Sequence, residues 1–220
     1  EKKIPFNEHI IFEDEHLLVA FKPHFLAVTP GGKFVNECLQ TRLREKTNLP
    51  DLQALHRLDR VTAGVVMFSK NTATRDVYHQ LFMQRRINKV YQAVASVSSS
   101  LELCGRHWQM KNRLQATEQA FLMQVVAGEP NSHSEIHCLK QVKDKALFAL
   151  QPVTGKTHQL RLHMAHLGWP ILNDRYYPEL QAESEDDYTK PLQLLAKSLT
   201  FDDPLTGDKR HIECAVDLSV

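Results

Sequence analysis

Strand-like segments dominate this chain and follow one another closely, which limits the folds it can adopt. Alternating or continuous apolar runs bounded by turn residues predict strands, and they occur at residues 10–12, 17–21, 65–69, 89–97, 120–126, 135–142, 146–150, 192–201 and 211–216. Apolar residues at helical spacing predict helices at 34–46, 71–84 and 158–167. Strict alternation of strand and helix, which a doubly wound parallel sheet requires, is absent. We therefore predict a mixed α+β fold whose sheet is largely antiparallel.

The composition is that of an ordinary globular protein. The 220 residues suit one large domain or two small ones, and 42% are hydrophobic while 24% are charged. No apolar run reaches bilayer length, and the N-terminal residues do not resemble a signal peptide. The four cysteines form no C-x-x-C pair, which favours reduced thiols in a cytosolic protein over disulfides or a zinc site.

Opposite charges are segregated along the chain, although the net charge is only +1. Basic residues predominate at 70–89 and 106–113, whereas 179–187 holds five carboxylates. One interpretation is a face that meets a polyanion such as RNA. The simpler interpretation is that these are solvated helix faces and an acidic loop. The charge pattern alone favours this simpler interpretation.

The segment His56–Gly64 places one acid, Asp59, between Arg57 and Arg60, just before an apolar run. Nearby cations favour the ionised carboxylate, which suits a nucleophile or a base. The segment is then a loop that presents an aspartate at the end of a strand. A surface turn with balanced charges is an equally good interpretation of these nine residues alone.

A second polar segment, 155–163, leads into the predicted helix 158–167. On that helix His158 and Arg161 share a polar face, while Leu160, Met164 and Leu167 share a face that can meet the core. Three histidines lie in this region, but the spacing lacks the H-E-x-x-H pattern and the helix carries no carboxylate. We therefore expect no metal site here.

Several motifs at matching separations resemble the RluA family of pseudouridine synthases. The family loop H-R-L-D-x-x-T-S-G corresponds to residues 56–64, with Ala63 in place of serine. The family motif G-R-T-H-Q-I-R-x-H corresponds to 155–163, with Lys156 and Leu160 as replacements. Its continuation, H-x-G-x-P-I-x-G-D-x-x-Y, runs from His166 to Tyr177, with Asn173 in place of glycine.

Shorter motifs extend this resemblance over nearly the whole chain. The strand motif K-x-Y-x-A begins at Lys89, and the opening E-D and K-P pairs correspond to Glu13-Asp14 and Lys22-Pro23. The chain departs from the family near its end, where Leu195 and Asp203 occupy positions that usually hold histidine. The separate RNA-binding module of many relatives has no room before Ile10, so we expect the catalytic domain to capture the substrate.

The resemblance implies the pseudouridine-synthase fold, with a central active-site cleft and flanking helices, in a single catalytic domain spanning 1–220. It implies that Asp59 is the nucleophile, that Arg161 pairs with Asp59, and that Tyr91 stacks on the target base. The remaining candidate substrate-binding residues are Arg57, His56, Thr62, Gly64, Leu194 and, from the basic stretch, Arg85 and Arg86.

The implied activity is isomerisation of specific uridines in a stem-loop of 23S ribosomal RNA or tRNA by a cytoplasmic monomer. No cofactor, membrane or obligatory protein partner is expected. One alternative is an RNA-binding protein that has lost catalysis, but Asp59, Tyr91 and Arg161 are all present. Another is a hydrolase that uses His158 or His163 with Asp59, but no G-x-S-x-G elbow occurs.

Overall fold

The computed structural model describes residues 3–32, 35–119 and 121–220. The chain divides into two compact units. Unit 1 comprises Glu1–Lys89 and Ala196–Val216, and unit 2 comprises Val90–Leu195 and Asp217–Val220. The single catalytic domain expected from the sequence stays a prediction.

The secondary structure of the described residues is mixed, with fourteen elements in chain order. These are β1 (His9–Glu13), β2 (Leu17–Lys22), α1 (Leu39–Thr47), β3 (Gln53–Ala54), β4 (Ala63–Ser69), α2 (Arg75–Met83), β5 (Asn88–Ser96), β6 (His107–Ala116), β7 (Met123–Val126), β8 (Ser132–Val142), β9 (Lys145–Pro152), α3 (Gln159–His166), β10 (Leu194–Asp202) and β11 (Lys209–Glu213). The predicted α+β class is confirmed.

The sheet of unit 1 runs in the order β1-β2-β4-β10, with β3 on β4 and β11 on β10. The β1–β2 hairpin expected from the sequence is present, and β2 pairs antiparallel with β4. Every residue of β4 is buried, because strands or core side chains surround it. The apolar run that follows Asp59 is therefore the central strand of this unit.

Gly64 allows β4 to approach β10 closely. Its φ is +128°, and a Cβ at this position would lie 2.2 Å from the Ala196 carbonyl oxygen. Side chains rarely adopt that conformation, and glycine alone leaves room for the neighbouring backbone.

The sheet of unit 2 is an antiparallel series in the order β5-β9-β8-β6-β7. Strand β6 was not predicted, because the sequence analysis treated 106–113 only as a basic cluster. Its charged residues alternate with partly buried Trp108 and Met110. Trp108 packs edge-on against Trp169, with ring centroids 4.8 Å apart. The charges face solvent while every second residue faces inward.

Two predicted helices have different boundaries in the structure. Helix α1 begins at Leu39, after an extended Cys38, rather than at Phe34, which lies outside the described residues. Helix α2 begins after Thr74, because the Asn71 side chain accepts the Ala73 N–H in a preceding turn. The helix predicted from residue 71 therefore begins four residues later, at Arg75.

Helix α2 packs on the core through one face. Tyr78 and Leu81 are buried, whereas Val77 is 38% exposed. The Tyr78 hydroxyl donates to both carboxylate oxygens of Asp203, at 3.1 and 3.2 Å. Burial and this carboxylate raise the pKa of Tyr78, so the phenol keeps its proton.

Asp203, which replaces a family histidine, has structural partners here. It accepts hydrogen bonds from Tyr78 and from the Leu205 N–H, and Arg210 lies 3.5 Å away. Leu195, the other replacement, is buried in β10. No described helix has the length and apolar character needed to cross a bilayer.

Candidate active site

The loop that carries Asp59 is tied to the end of β2 by a buried lysine. The Lys22 ammonium donates to the carbonyl oxygens of Pro23, Leu26 and Arg60 at 2.9, 2.7 and 2.9 Å. Lys22 is fully buried. All three donor positions of its ammonium are therefore used, and one bond holds the residue next to Asp59.

Electrostatics links Lys22 to Asp59. Burial lowers the pKa of Lys22 well below its ordinary value, and the negative charge of Asp59 opposes that shift. In the sequence, Lys22 stands out only as part of a motif, and no role was predicted for it. The available signal was a lysine followed by proline directly after an apolar strand.

Further hydrogen bonds hold the same loop. His24 Nδ1–H donates to the Val61 carbonyl at 2.7 Å, and Arg60 donates to the Phe25 carbonyl at 3.2 Å. The Thr62 N–H closes a turn onto the Asp59 carbonyl at 3.0 Å. Asp59 is half-buried, in a backbone fixed on both sides.

His56 supports the beginning of this loop. Its Nε2 accepts the Met67 N–H at 3.0 Å, and its ring stacks on Phe82 with centroids 4.5 Å apart. Burial, with the charge of Lys89 as a second cause, lowers the pKa of His56 to about 3. The imidazole is therefore neutral at physiological pH and joins the loop to β4 and α2.

The other candidate residues of unit 1 differ in exposure. Arg57 is exposed, while Thr62 and Gly64 are buried in and beside β4. Arg85 and Arg86 are exposed in the turn after α2, where Arg85 has a φ of +55°. Substrate binding by these residues and by His56 stays a prediction.

The other candidate catalytic residues, Arg161 and Tyr91, lie in unit 2. Arg161 on α3 is 3% exposed and forms a bidentate ion pair with Asp174: Nε–Oδ2 is 2.8 Å and Nη2–Oδ1 is 2.7 Å. Its guanidinium carbon also lies 4.7 Å from the centre of the Tyr176 ring. Every residue of α3 from Gln159 to Met164 is buried, so Arg161 and its polar neighbours lie inside the protein.

Asp174 organises the segment after α3 as well as Arg161. Its Oδ1 accepts the N–H groups of Tyr176 and Tyr177 at 2.9 and 3.2 Å. Asp174 stands out in the sequence only as part of a motif. Its bonds to Arg161 and to the N–H groups of Tyr176 and Tyr177 were not predicted. The predicted pair of Arg161 with Asp59 stays a prediction.

The histidines near α3 take part in hydrogen bonds. His158 Nδ1 lies 2.8 Å from the Tyr177 hydroxyl, which accepts the Met123 N–H. His163 lies between the hydroxyls of Ser132 and Ser134, and burial lowers its pKa to about 4. His163 thereby joins α3 to β8, and His158 joins the residue before α3 to the segment that contains Tyr177.

Two remaining candidates lie on strands of unit 2. Tyr91 is half-buried on β5, opposite Leu150 of β9. Leu194, a candidate for substrate binding, is buried at the start of β10. Their contacts with substrate stay predictions.

We expect Asp174→Asn to destabilise unit 2 by about 3 kcal/mol, because it removes the negative charge from the bidentate pair that the buried Arg161 forms. Urea unfolding followed by circular dichroism measures this loss. Asp187→Asn is the matched control, since Asp187 is an exposed carboxylate paired with Lys190, and we expect it to change stability by less than about 0.5 kcal/mol. Equal stability of the two variants would contradict the structural role of the pair.

Comparison with known proteins places the chain in a family. Residues 16–166 match the family model for RNA pseudouridylate synthase. The dual-specificity RNA pseudouridine synthase RluA of Haemophilus influenzae is 32% identical, with 90% of this chain and 89% of the relative covered. The ribosomal large subunit pseudouridine synthase C of Yersinia pestis is 30% identical, with 99% and 68% covered.

Solved structures agree on the fold. Human RNA pseudouridylate synthase domain containing 1 superposes with a TM-score of 0.77 at 21% identity, covering 98% of this chain and 86% of that chain. Human RNA pseudouridylate synthase domain containing 4 gives 0.73 at 21% identity, covering 94% and 88%. The motifs, the fold and the matched relatives lead to one conclusion: the chain belongs to the RluA-type RNA pseudouridine synthases, which are isomerases that act on RNA.

Proposed function

We propose that this protein converts specific uridines of 23S ribosomal RNA, tRNA or both into pseudouridine, with Asp59 as the nucleophile. The relatives support RNA as the substrate and ribosomal RNA as one class of target, since one is named a dual-specificity RNA pseudouridine synthase and another a ribosomal large subunit pseudouridine synthase. The proposal includes action as a cytoplasmic monomer without a cofactor or an obligatory protein partner.

The reaction is an exchange of bonds within one nucleotide. The Asp59 carboxylate attacks C1′ of the ribose or the uracil ring, and the C1′–N1 bond breaks. The base rotates and a C1′–C5 bond forms. C5 then loses its proton to solvent while N1 gains one, so the product is an isomer and Asp59 is regenerated.

The fixed loop around Asp59 is the observation that carries the proposal. A nucleophile must be held at its reacting position, because misplacement by about 1 Å can cost about 10²-fold in rate. The Lys22 ammonium and the His24 imidazole bind the carbonyls of the two residues that follow Asp59. Both bonds fix the backbone that carries the carboxylate.

Tyr91, Arg161 and Arg57 complete the proposed machinery. Tyr91 stacks on the target base, and stacking is worth about 1–3 kcal/mol per base. Arg161 holds Asp59 in its ionised form, while its bond to Asp174 fixes the guanidinium. Exposed Arg57 helps to displace the target base, which costs a few kcal/mol. His56, Thr62, Gly64 and Leu194 shape the surroundings of the nucleotide.

Release of tritium tests the activity directly. RNA labelled at C5 of uridine, isolated from cells that lack the gene, is incubated with the purified protein. Isomerisation transfers tritium to water and leaves the RNA chain intact. Hydrolysis or simple binding releases none. Failure to release tritium from both ribosomal RNA and tRNA contradicts the proposal.

We expect the double variant Arg85→Glu/Arg86→Glu to bind RNA more weakly and with a shallower salt dependence. Each lost phosphate contact lowers the slope of log K against log salt by about 0.7–0.9. Fluorescence anisotropy with labelled tRNA measures the slope, and Lys145→Glu, an exposed lysine at the start of β9, is the control. A slope equal to that of the control removes this turn from the RNA footprint.

A further inference from the structure

Phe25 has a backbone conformation that a bulky side chain rarely adopts. It lies in the segment between β2 and α1, and its φ is +67°. The left-handed region is strained for a residue with a Cβ, and such strain persists only where the surrounding structure fixes it. The neighbours of Phe25 must therefore hold it in this conformation.

Packing on two sides holds the segment that contains Phe25. The Phe25 side chain is buried, and its ring stacks on that of Phe6, with centroids 6.1 Å apart and 22° between the ring planes. Two residues further along the chain, the Ala27 carbonyl accepts the Leu39 N–H of α1 at 2.8 Å. Withdrawal of the ring would expose buried apolar area, so packing offsets the backbone strain.

The strained conformation directs two consecutive carbonyls at the cations that hold the loop of Asp59. The Phe25 carbonyl accepts a hydrogen bond from Arg60 Nη1 at 3.2 Å, and the Leu26 carbonyl accepts one from the Lys22 ammonium at 2.7 Å. In extended backbone, consecutive carbonyls point to opposite sides of the chain. The left-handed residue turns the chain, so that both carbonyls serve the same loop.

These contacts meet at the residue that follows the proposed nucleophile. Arg60 comes directly after Asp59, and its backbone carbonyl accepts the Lys22 ammonium at 2.9 Å. Arg60 is therefore held twice, through its side chain by Phe25 and through its backbone by Lys22. Both anchors belong to one short segment, so a change of conformation at position 25 displaces them together.

We propose that Phe25 is a positioning residue for the nucleophile, and that it acts through its left-handed backbone rather than through its ring. The inference rests on the proposed function, which assigns the nucleophilic role to Asp59. Phe25 is buried and acts through Arg60. Since a displacement of about 1 Å can cost about 10²-fold in rate, the conformation at position 25 controls kcat rather than KM.

Substitutions at position 25 separate the backbone conformation from the ring. Phe25→Gly removes the ring but permits a positive φ, whereas Phe25→Val keeps a branched apolar side chain that disfavours it. Tritium release from RNA labelled at C5 of uridine gives kcat and KM, at a temperature at which circular dichroism shows each variant to be folded. We expect Phe25→Val to lower kcat at least about tenfold with KM within about threefold, and Phe25→Gly to lower kcat less than about threefold.

Lys143→Val is the matched control. Lys143 also has a positive φ, +54°, in the turn between β8 and β9. It belongs to unit 2, whereas Phe25 and Asp59 belong to unit 1. The same kind of backbone strain is therefore introduced in the other unit, and we expect it to lower stability while kcat stays at the wild-type value.

The order of the variants decides the proposal. A larger loss of kcat in Phe25→Gly than in Phe25→Val would show that the ring matters and would overturn the backbone role, as would equal kcat in Phe25→Val and Lys143→Val. If Phe25→Val does not fold, Phe25→Ala replaces it, because alanine differs from glycine by one methyl group yet disfavours positive φ. Equal kcat in Phe25→Ala and Phe25→Gly then overturns the proposal.

The wild-type protein separates this proposal from the proposed function. Wild type that releases tritium, combined with the wrong order of variants, refutes only the positioning role of Phe25. Wild type that releases none from ribosomal RNA or tRNA refutes the proposed function itself.

Discussion

Asp59→Asn is expected to reduce pseudouridine formation by at least about 10³-fold, because a neutral amide is a poor nucleophile at carbon. Asparagine has nearly the same shape as aspartate. The bonds that hold the loop, from Lys22 to the Arg60 carbonyl and from His24 to the Val61 carbonyl, involve only backbone acceptors. They remain available in the variant, so the loss reports on chemistry rather than on the loop.

Tritium release measures the rate, and anisotropy with labelled tRNA measures binding, which we expect to change by less than about threefold. Asp76→Asn, an exposed acid on α2, is the matched control for removal of one negative charge. Asp59→Glu keeps the charge but moves the carboxylate, so we expect it to fold and to be nearly inactive. Turnover near the wild-type rate in Asp59→Asn would refute the role of Asp59 as nucleophile.

Gly64→Ala is expected to destabilise unit 1 by at least about 4 kcal/mol, through backbone strain and overpacking together. The added Cβ lies 2.2 Å from the Ala196 carbonyl oxygen and 2.6 Å from its nitrogen, and both are backbone atoms. No rotamer change relieves that contact, so β4 and β10 must separate. Loss on this scale is a large share of the stability of a typical domain, which is about 5–15 kcal/mol.

Gly168→Ala separates the two causes of that loss. Gly168 also has a positive φ, +88°, but an added Cβ there meets nothing within 4 Å. We expect it to cost only about 1–2 kcal/mol, the cost of the left-handed conformation. Thermal unfolding of both variants gives the comparison. If Gly64→Ala is no less stable than Gly168→Ala, close strand approach does not explain the glycine.

Much of the secondary structure could be predicted because it depends on local periodicity. The β1–β2 hairpin, β4 and β5 each follow from apolar runs ended by polar or turn residues. Strand β6 escaped prediction because its basic side chains concealed the alternation of its inward residues. The start of α2 escaped because Asn71, a good capping residue, is instead used in the turn before the helix.

The candidate site could be located but not assembled from the sequence. Its motifs placed the chain in a known family, and the family match confirms this, whereas the roles of Asp59, Tyr91 and Arg161 stay predictions. The buried bond of Arg161 to Asp174 joins residues thirteen positions apart, of which one lies on a helix and the other in a loop. Helical spacing alone placed Arg161 on a polar face but could not show that this face is buried, since periodicity cannot show what packs against a helix.

The order of residues along the chain therefore determined the α+β class and the positions of the motifs. Apolar periodicity and turns depend only on residues that are close together in the sequence. Tertiary packing decided which polar groups are buried and with what partners. Lys22 has a lowered pKa and three carbonyl partners only because the ends of two segments meet around it. The burial of a polar group and the identity of its hydrogen-bond partners depend on residues that are distant in sequence. A short motif therefore cannot reveal them.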